Sequence, residues 1–201
     1  MERSATFNTT SFAEGRFRRA YKGRWTAPVS DAGRVCVVKE MKDNYSWNEV
    51  DWNDTVKINE RAKDLAARFT SRTPAVYVMR VTNAPCPHTR PKLHEYVTCE
   101  DYIPGPFKKW CNNYGYISDE CTILPAFMHW SWARSMGEEM VSDLQGVRNG
   151  SAYTLTDPAM LSLSGTYGVT DMGVEGMAMF FLEHNCDKYC QMLPKPTLAH
   201  F

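Results

Sequence analysis

The chain has 201 residues, and its 23 basic and 23 acidic side chains cancel, which argues against the broad electrostatic field that collects nucleic acid or anionic membrane. Its length suits one domain or two lobes around a cleft. The longest obvious apolar run, "MAMFFL" at 177–182, is too short to span a bilayer, and seven cysteines behind a polar amino terminus point to reduced thiols in a cytoplasmic chain.

In chain order, segments 34–41, 75–81 and 94–103 are rich in β-branched and aromatic residues and read as strands. Between the first two, Ile58, Ala62, Leu65, Ala66 and Phe69 fall on one helical face, with Asp54 as a cap. Pro104, Gly105 and Pro106 then interrupt any periodic element. They divide the single domain into an amino-terminal lobe of about 1–103 and a carboxy-terminal lobe of about 104–201. In the second lobe, 138–147 reads as a strand running into a turn, 148–158 as an extended loop, and 168–173 as a glycine-bracketed loop. Val174, Met177, Phe180, Phe181 and His184 recur at helical spacing, and "LPKPTLAHF" reads as a tail.

Four groups of residues could carry chemistry. Lys39 ends the apolar strand "VCVVK", so it either presents a cation to phosphate or snorkels to water. Asp143 and Gln145, two apart and on one strand face, suit a hard cation such as Mg²⁺, and Asp157 in "LTDP" could add a third oxygen, although Asp before Pro is also a common turn former. Gly165, Gly168 and Gly173 precede a helix, where they could open backbone N–H groups to an anion or merely lead the chain into the helix. Finally, "HNCDKYC" gathers His184, Cys186 and Cys190, three ligands of a zinc tetrahedron that needs a fourth. His129, Cys86, His88 and Cys121 are the candidates, with His129 favoured because it lies in the same half of the chain.

The segments "FAEGRFRRAYKG", "VCVVKEM", "YIPGPFKKWCNNYGYI", "AFMHWSW", "SDLQGV", "LTDP", "GVTDMGVEGMAMFF" and "HNCDKYC", taken in this order, resemble the catalytic domain of the alpha-kinases. The resemblance runs from about Phe12 to Cys190. It implies an α+β, two-lobed atypical protein kinase fold, with a mainly antiparallel amino-terminal sheet, a packed helix and a zinc-stabilised carboxy-terminal lobe. It also implies transfer of the γ-phosphate of ATP to a serine or threonine hydroxyl of a protein substrate, with ATP in the interlobe cleft. By this likeness Lys39 contacts ATP phosphate, Gly15 lies in the loop covering it, and the segment around Glu100 receives adenine. Asp143 is the catalytic aspartate, Gln145 and Asp157 are magnesium ligands, and Gly168, Asp171 and Gly173 fall in a substrate loop. His129, His184, Cys186 and Cys190 become the structural zinc ligands. The chain departs from the family pattern in the length of "RNGSAYT", in Asp171 where asparagine is usual, and in the turn "CNNYG". An inactive, zinc-stabilised interaction module is the alternative these departures keep.

Overall fold

A computed structural model describes residues 4–42, 52–72, 79–81, 84–90, 93–121 and 123–197, with side chains outside 71–96. The chain forms two compact units, Met1–Val56 with Thr82–Ile103, and Lys57–Val81 with Pro104–Phe201.

The first unit is an antiparallel sheet of β1 (Ser4–Phe7), β2 (Ala13–Glu14), β3 (Arg18–Ala27), β4 (Val35–Met41), β6 (Ala84–Arg90) and β7 (Leu93–Asp101). Its order is β1-β3-β4-β7-β6, with β2 paired to β3. Along β3, Tyr21, Gly23 and Trp25 are buried while Lys22, Arg24 and Thr26 are exposed, the period of two that a half-buried strand requires. Tyr21, Trp25, Cys36, Val38, Val97 and Cys99 make its core, where the two thiols serve as small apolar side chains. Strands expected at 34–41 and 94–103 are β4 and β7. The reading of 75–81 as a strand is met at Met79–Val81, called β5, and residues 75–78 lie outside the described part.

Helix α1 (Asn53–Arg72), which belongs to the second unit from Lys57 on, buries the expected face of Ile58, Ala62, Leu65, Ala66 and Phe69. A second helix, α2 (Ile123–Arg134), has no counterpart among the expected elements. It is buried at every position from Ile123 to Trp132, so it lacks the polar face that makes a helix visible as a period. Phe69 of α1 packs on Phe127 and Trp130 of α2 at ring separations of 5.0 and 5.4 Å.

Two expectations for this half are corrected. The single strand at 138–147 is two, β9 (Glu139–Ser142) and β10 (Gln145–Asn149), separated by Asp143 and Leu144. Asp143 has φ 56°, outside strand conformation, and Leu144 O accepts the amides of Trp110 and Cys111, holding the corner in place. The expected loop at 148–158 contains β11 (Ala152–Thr156), a hairpin partner of β10 turned at Gly150, whose φ is 59°. β11 continues to β5, and β10 to β8 (Phe107–Lys109), completing a four-stranded sheet. β9 pairs separately with β12 (Ala159–Ser162), and α3 (Gly173–Glu183) buries Gly176, Met177 and Phe180.

Candidate active site and metal centre

On the first unit, β4 places Lys39 at 6% exposure, with Nζ 2.5 Å from Glu100 Oε1 on the adjacent β7. The register pairs Val37 with Glu100 and Lys39 with Thr98, so the two side chains meet on a diagonal of one sheet face. Lys39 is therefore not a snorkelling strand end. The Glu100 carboxylate is occupied by the lysine from inside a strand. Gly15 closes the tight turn from β2 to β3, its amide donating to Arg18 O at 2.8 Å.

In the second unit, Asp143, Gln145 and Asp157 converge because the β10–β11 hairpin and the β9–β12 pair end at the same place. Gln145 is the register partner of Thr156, which sets it beside Asp157, while Ser142 opposite Ala159 brings the entry to Asp143 alongside. The Gln145 amide nitrogen lies 3.4 Å from Asp143 Oδ2 and 3.3 Å from Asp157 O. Asp143 and Asp157 both adopt left-handed φ, 56° and 49°, a conformation that aspartate tolerates better than most residues but that still carries strain. Gly146 allows the two strands to close. A Cβ there, at φ 148°, would stand 2.0 Å from Thr154 O.

Sequence reasoning missed Lys109. On β8 and in register with Gln145, it brings Nζ to 2.6 Å from Asp143 Oδ1. The signal in "FKKWC" is two adjacent lysines on a short edge strand, which ordinarily read as solubilising charges.

The four zinc candidates come together: ligand atoms of His129, His184, Cys186 and Cys190 all lie within 4.8 Å of one another. Cys186 Sγ is 3.6 Å from His129 Nδ1, and Cys190 Sγ is 3.3 Å from His184 Nε2. α2 carries His129, and His184 caps the carboxyl end of α3. The other His129 nitrogen, Nε2, contacts Pro194 O at 2.9 Å. A carbonyl can only accept, so Nε2–H donates and leaves Nδ1 as a lone pair aimed at the cluster, the arrangement that orients metal-bound imidazoles. Burial lowers the pKa of His129 and takes His184 down to about 4, keeping both rings neutral. Burial pushes the Cys190 thiol up to about 12, so its ionisation calls for a bound cation. Two neutral imidazoles and two thiols at these separations fit a tetrahedral N₂S₂ metal. Of the other fourth-ligand candidates, Cys121 is elsewhere, its sulfur on the Tyr153 hydroxyl at 3.3 Å, and the Cys86 and His88 side chains lie outside the described residues.

The glycine-bracketed loop leaves the far end of the β9–β12 pair. Ser162 lies opposite Glu139, three residues along the strand from the Ser142–Ala159 pair, or about 10 Å. Asp171 binds it internally: its carboxylate accepts the amides of Ser162, Tyr167 and Gly173 and the Ser162 hydroxyl, at 2.6–3.2 Å. Gly168 and Gly173 have φ of 74° and 56°.

Comparison with known proteins places this architecture. Residues 13–190 match the Alpha-kinase family pattern. The chain belongs to the alpha-kinase family. It is 31% identical over 196 residues to Alpha-protein kinase 1 of Dictyostelium discoideum, covering 94% of this chain and 14% of that protein. It is 38% identical over 96 residues to Eukaryotic elongation factor 2 kinase of Caenorhabditis elegans, covering 47% of this chain and 12% of that protein. The chain thus spans a small part of the length of these relatives. The solved inactive alpha-kinase domain of Myosin-II heavy chain kinase A, complexed with ATP, superposes with a TM-score of 0.82 over 96% of this chain and 90% of that one, at 19% identity. An alpha-kinase from Entamoeba histolytica superposes with a TM-score of 0.80 at 23% identity, covering 96% of this chain and 79% of that one. These structural likenesses establish the alpha-kinase fold. Among the described residues, no helix is long and apolar enough to cross a membrane.

Proposed function

We propose that this alpha-kinase domain is active and transfers the γ-phosphate of ATP to a serine or threonine hydroxyl of a protein. The observation that carries the reading is the corner at Asp143, where a strained aspartate, a lysine, an amide and a second aspartate converge in a family whose members are protein kinases.

In this mechanism Lys39, oriented by Glu100, neutralises phosphate oxygens of ATP, and the turn at Gly15 covers them. Asp143 accepts a hydrogen bond from the acceptor hydroxyl, aligns it and takes its proton as the new P–O bond forms. The bond from the γ-phosphorus to the bridging oxygen breaks and ADP departs. Lys109, already on the Asp143 carboxylate, offsets negative charge as the phosphoryl group passes. Gln145 and Asp157 would hold Mg²⁺, which screens phosphate charge when bound. Phosphoryl transfer asks for position and charge more than covalent help, which suits the carboxylate, lysine and amide gathered at Asp143.

His129, His184, Cys186 and Cys190 would hold zinc, which ties α2 to the chain end of α3 when bound. All four positions are taken by protein, so the site is structural.

The test is transfer from labelled ATP to a generic basic protein with Mg²⁺, using zinc-replete parent and Asp143→Ala preparations of equal melting temperature. Label transferred by the parent and lost in the variant is the expected result. An inactive parent that still binds ATP would replace this reading with that of a non-catalytic interaction module.

A further inference from the structure

Helix α1 sends two cations to the loop that follows β12. Lys57 Nζ donates to Thr166 O at 2.9 Å and lies 4.5 Å from the centre of the Tyr167 ring. One turn on, Arg61 donates from Nε to Glu139 Oε1 at 2.6 Å and again from Nη2 to the same oxygen. The other Glu139 oxygen accepts the Tyr167 hydroxyl at 2.7 Å. Burial first, then the Glu139 carboxylate, pushes the Tyr167 phenol up to about 12, so it remains a donor at neutral pH. With the four bonds to Asp171, the loop is held from α1, from β9 and from within.

Three large apolar side chains of the same loop stand in water. Leu163, Val169 and Met172 are 53%, 72% and 37% exposed. A half-buried polar network, with Tyr167 seated in the core, thus fixes a segment whose other large side chains, Leu163, Val169 and Met172, stand in water. The loop departs from the end of the β9–β12 pair opposite Asp143, about 10 Å along the strands. An extended polypeptide of about three residues spans such a length, whereas a lone hydroxyl does not.

We infer that Arg61, Glu139 and Tyr167 are positioning residues for the acceptor polypeptide, holding the loop of residues 163–172 in the one conformation whose apolar rim meets the acceptor chain. The inference rests on the kinase reading above. A loop ordered beforehand does not have to be ordered on binding, so the brace lowers the cost of capturing acceptor and leaves the phosphoryl step alone.

Tyr167→Phe separates these effects, because it keeps the ring under Lys57 and removes only the bond to Glu139. With the generic basic protein as acceptor, KM for acceptor is expected to rise roughly tenfold, the size of one hydrogen bond to a charged partner. kcat and KM for ATP should stay at parent values. Amide exchange at Tyr167 and Gly173 should accelerate in the same variant, and Glu139→Gln should repeat the pattern. Faster exchange with unchanged acceptor KM would make the brace purely structural and overturn its role. Unchanged exchange would overturn the brace itself. A parent that transfers no phosphate overturns the kinase reading and the acceptor role with it, while the exchange result still reports on the brace.

Discussion

Lys109 Nζ stands 2.6 Å from Asp143 Oδ1, and the same lysine is the register partner of Gln145 on the neighbouring strand. Strand pairing thus delivers a cation to the proposed catalytic carboxylate. At 43% side-chain exposure, Lys109 has room to leave the carboxylate and follow a passing phosphoryl group. Lys109→Met is expected to lower kcat roughly 10²-fold, as removal of one preorganised donor does elsewhere. Melting temperature should hold, because an exposed ion pair contributes little to stability. Steady-state kinetics beside a thermal melt checks both, and an unchanged kcat would remove Lys109 from the mechanism.

The His129, His184, Cys186 and Cys190 cluster predicts that purified protein carries zinc and depends on it for stability. A strong chelator should lower the melting temperature, and added zinc should restore it. Cys186→Ala should reduce bound zinc and melt lower than the parent, since metal binding free energy at such a site becomes folding free energy. Elemental analysis with differential scanning calorimetry reads both quantities. A variant that melts with the parent would exclude a structural role for the metal.

Gly146 is required by the backbone. At φ 148°, an alanine Cβ would be placed 2.0 Å from Thr154 O, and relief would have to come from the β10–β11 pairing itself. Gly146→Ala is expected to cost about 3 kcal/mol or more in urea unfolding. Because Gln145 and Asp157 depend on that pairing, transfer activity should fall even in the fraction that remains folded.

Ser142 points the other way. Fully buried on β9, its hydroxyl has no hydrogen-bond partner among the described residues. Ser142→Ala removes an unsatisfied polar atom and adds no volume, so it should stabilise the domain by about 1 kcal/mol. Denaturant unfolding at equal slope is the measurement. A loss of stability would reveal that the hydroxyl is satisfied in solution.

Legibility in the sequence followed contrast between faces. α1 could be read because Ile58, Ala62, Leu65, Ala66 and Phe69 alternate with charge, whereas α2 could not, because Ile123–Trp132 has no solvent side to break its apolar run. The metal cluster was partly legible: His184, Cys186 and Cys190 are close in sequence, but His129 is 55 positions before His184, so its position in the chain could favour it among several candidates without bringing it to the other three. Asp143 and Gln145 were legible as a pair and misread in conformation, since nothing local in "SDLQG" announces that the aspartate takes a left-handed turn.

The sequence by itself determined the family, through motifs kept in order from Phe12 to Cys190, and it determined the residue types available for phosphate, Mg²⁺ and zinc. Tertiary structure decided their arrangement. Strand register put Lys109 on Asp143 and Glu100 on Lys39, and packing of α1 put Arg61 on Glu139. Register and helix packing are set by contacts between segments tens of residues apart, so no window of local sequence carries them.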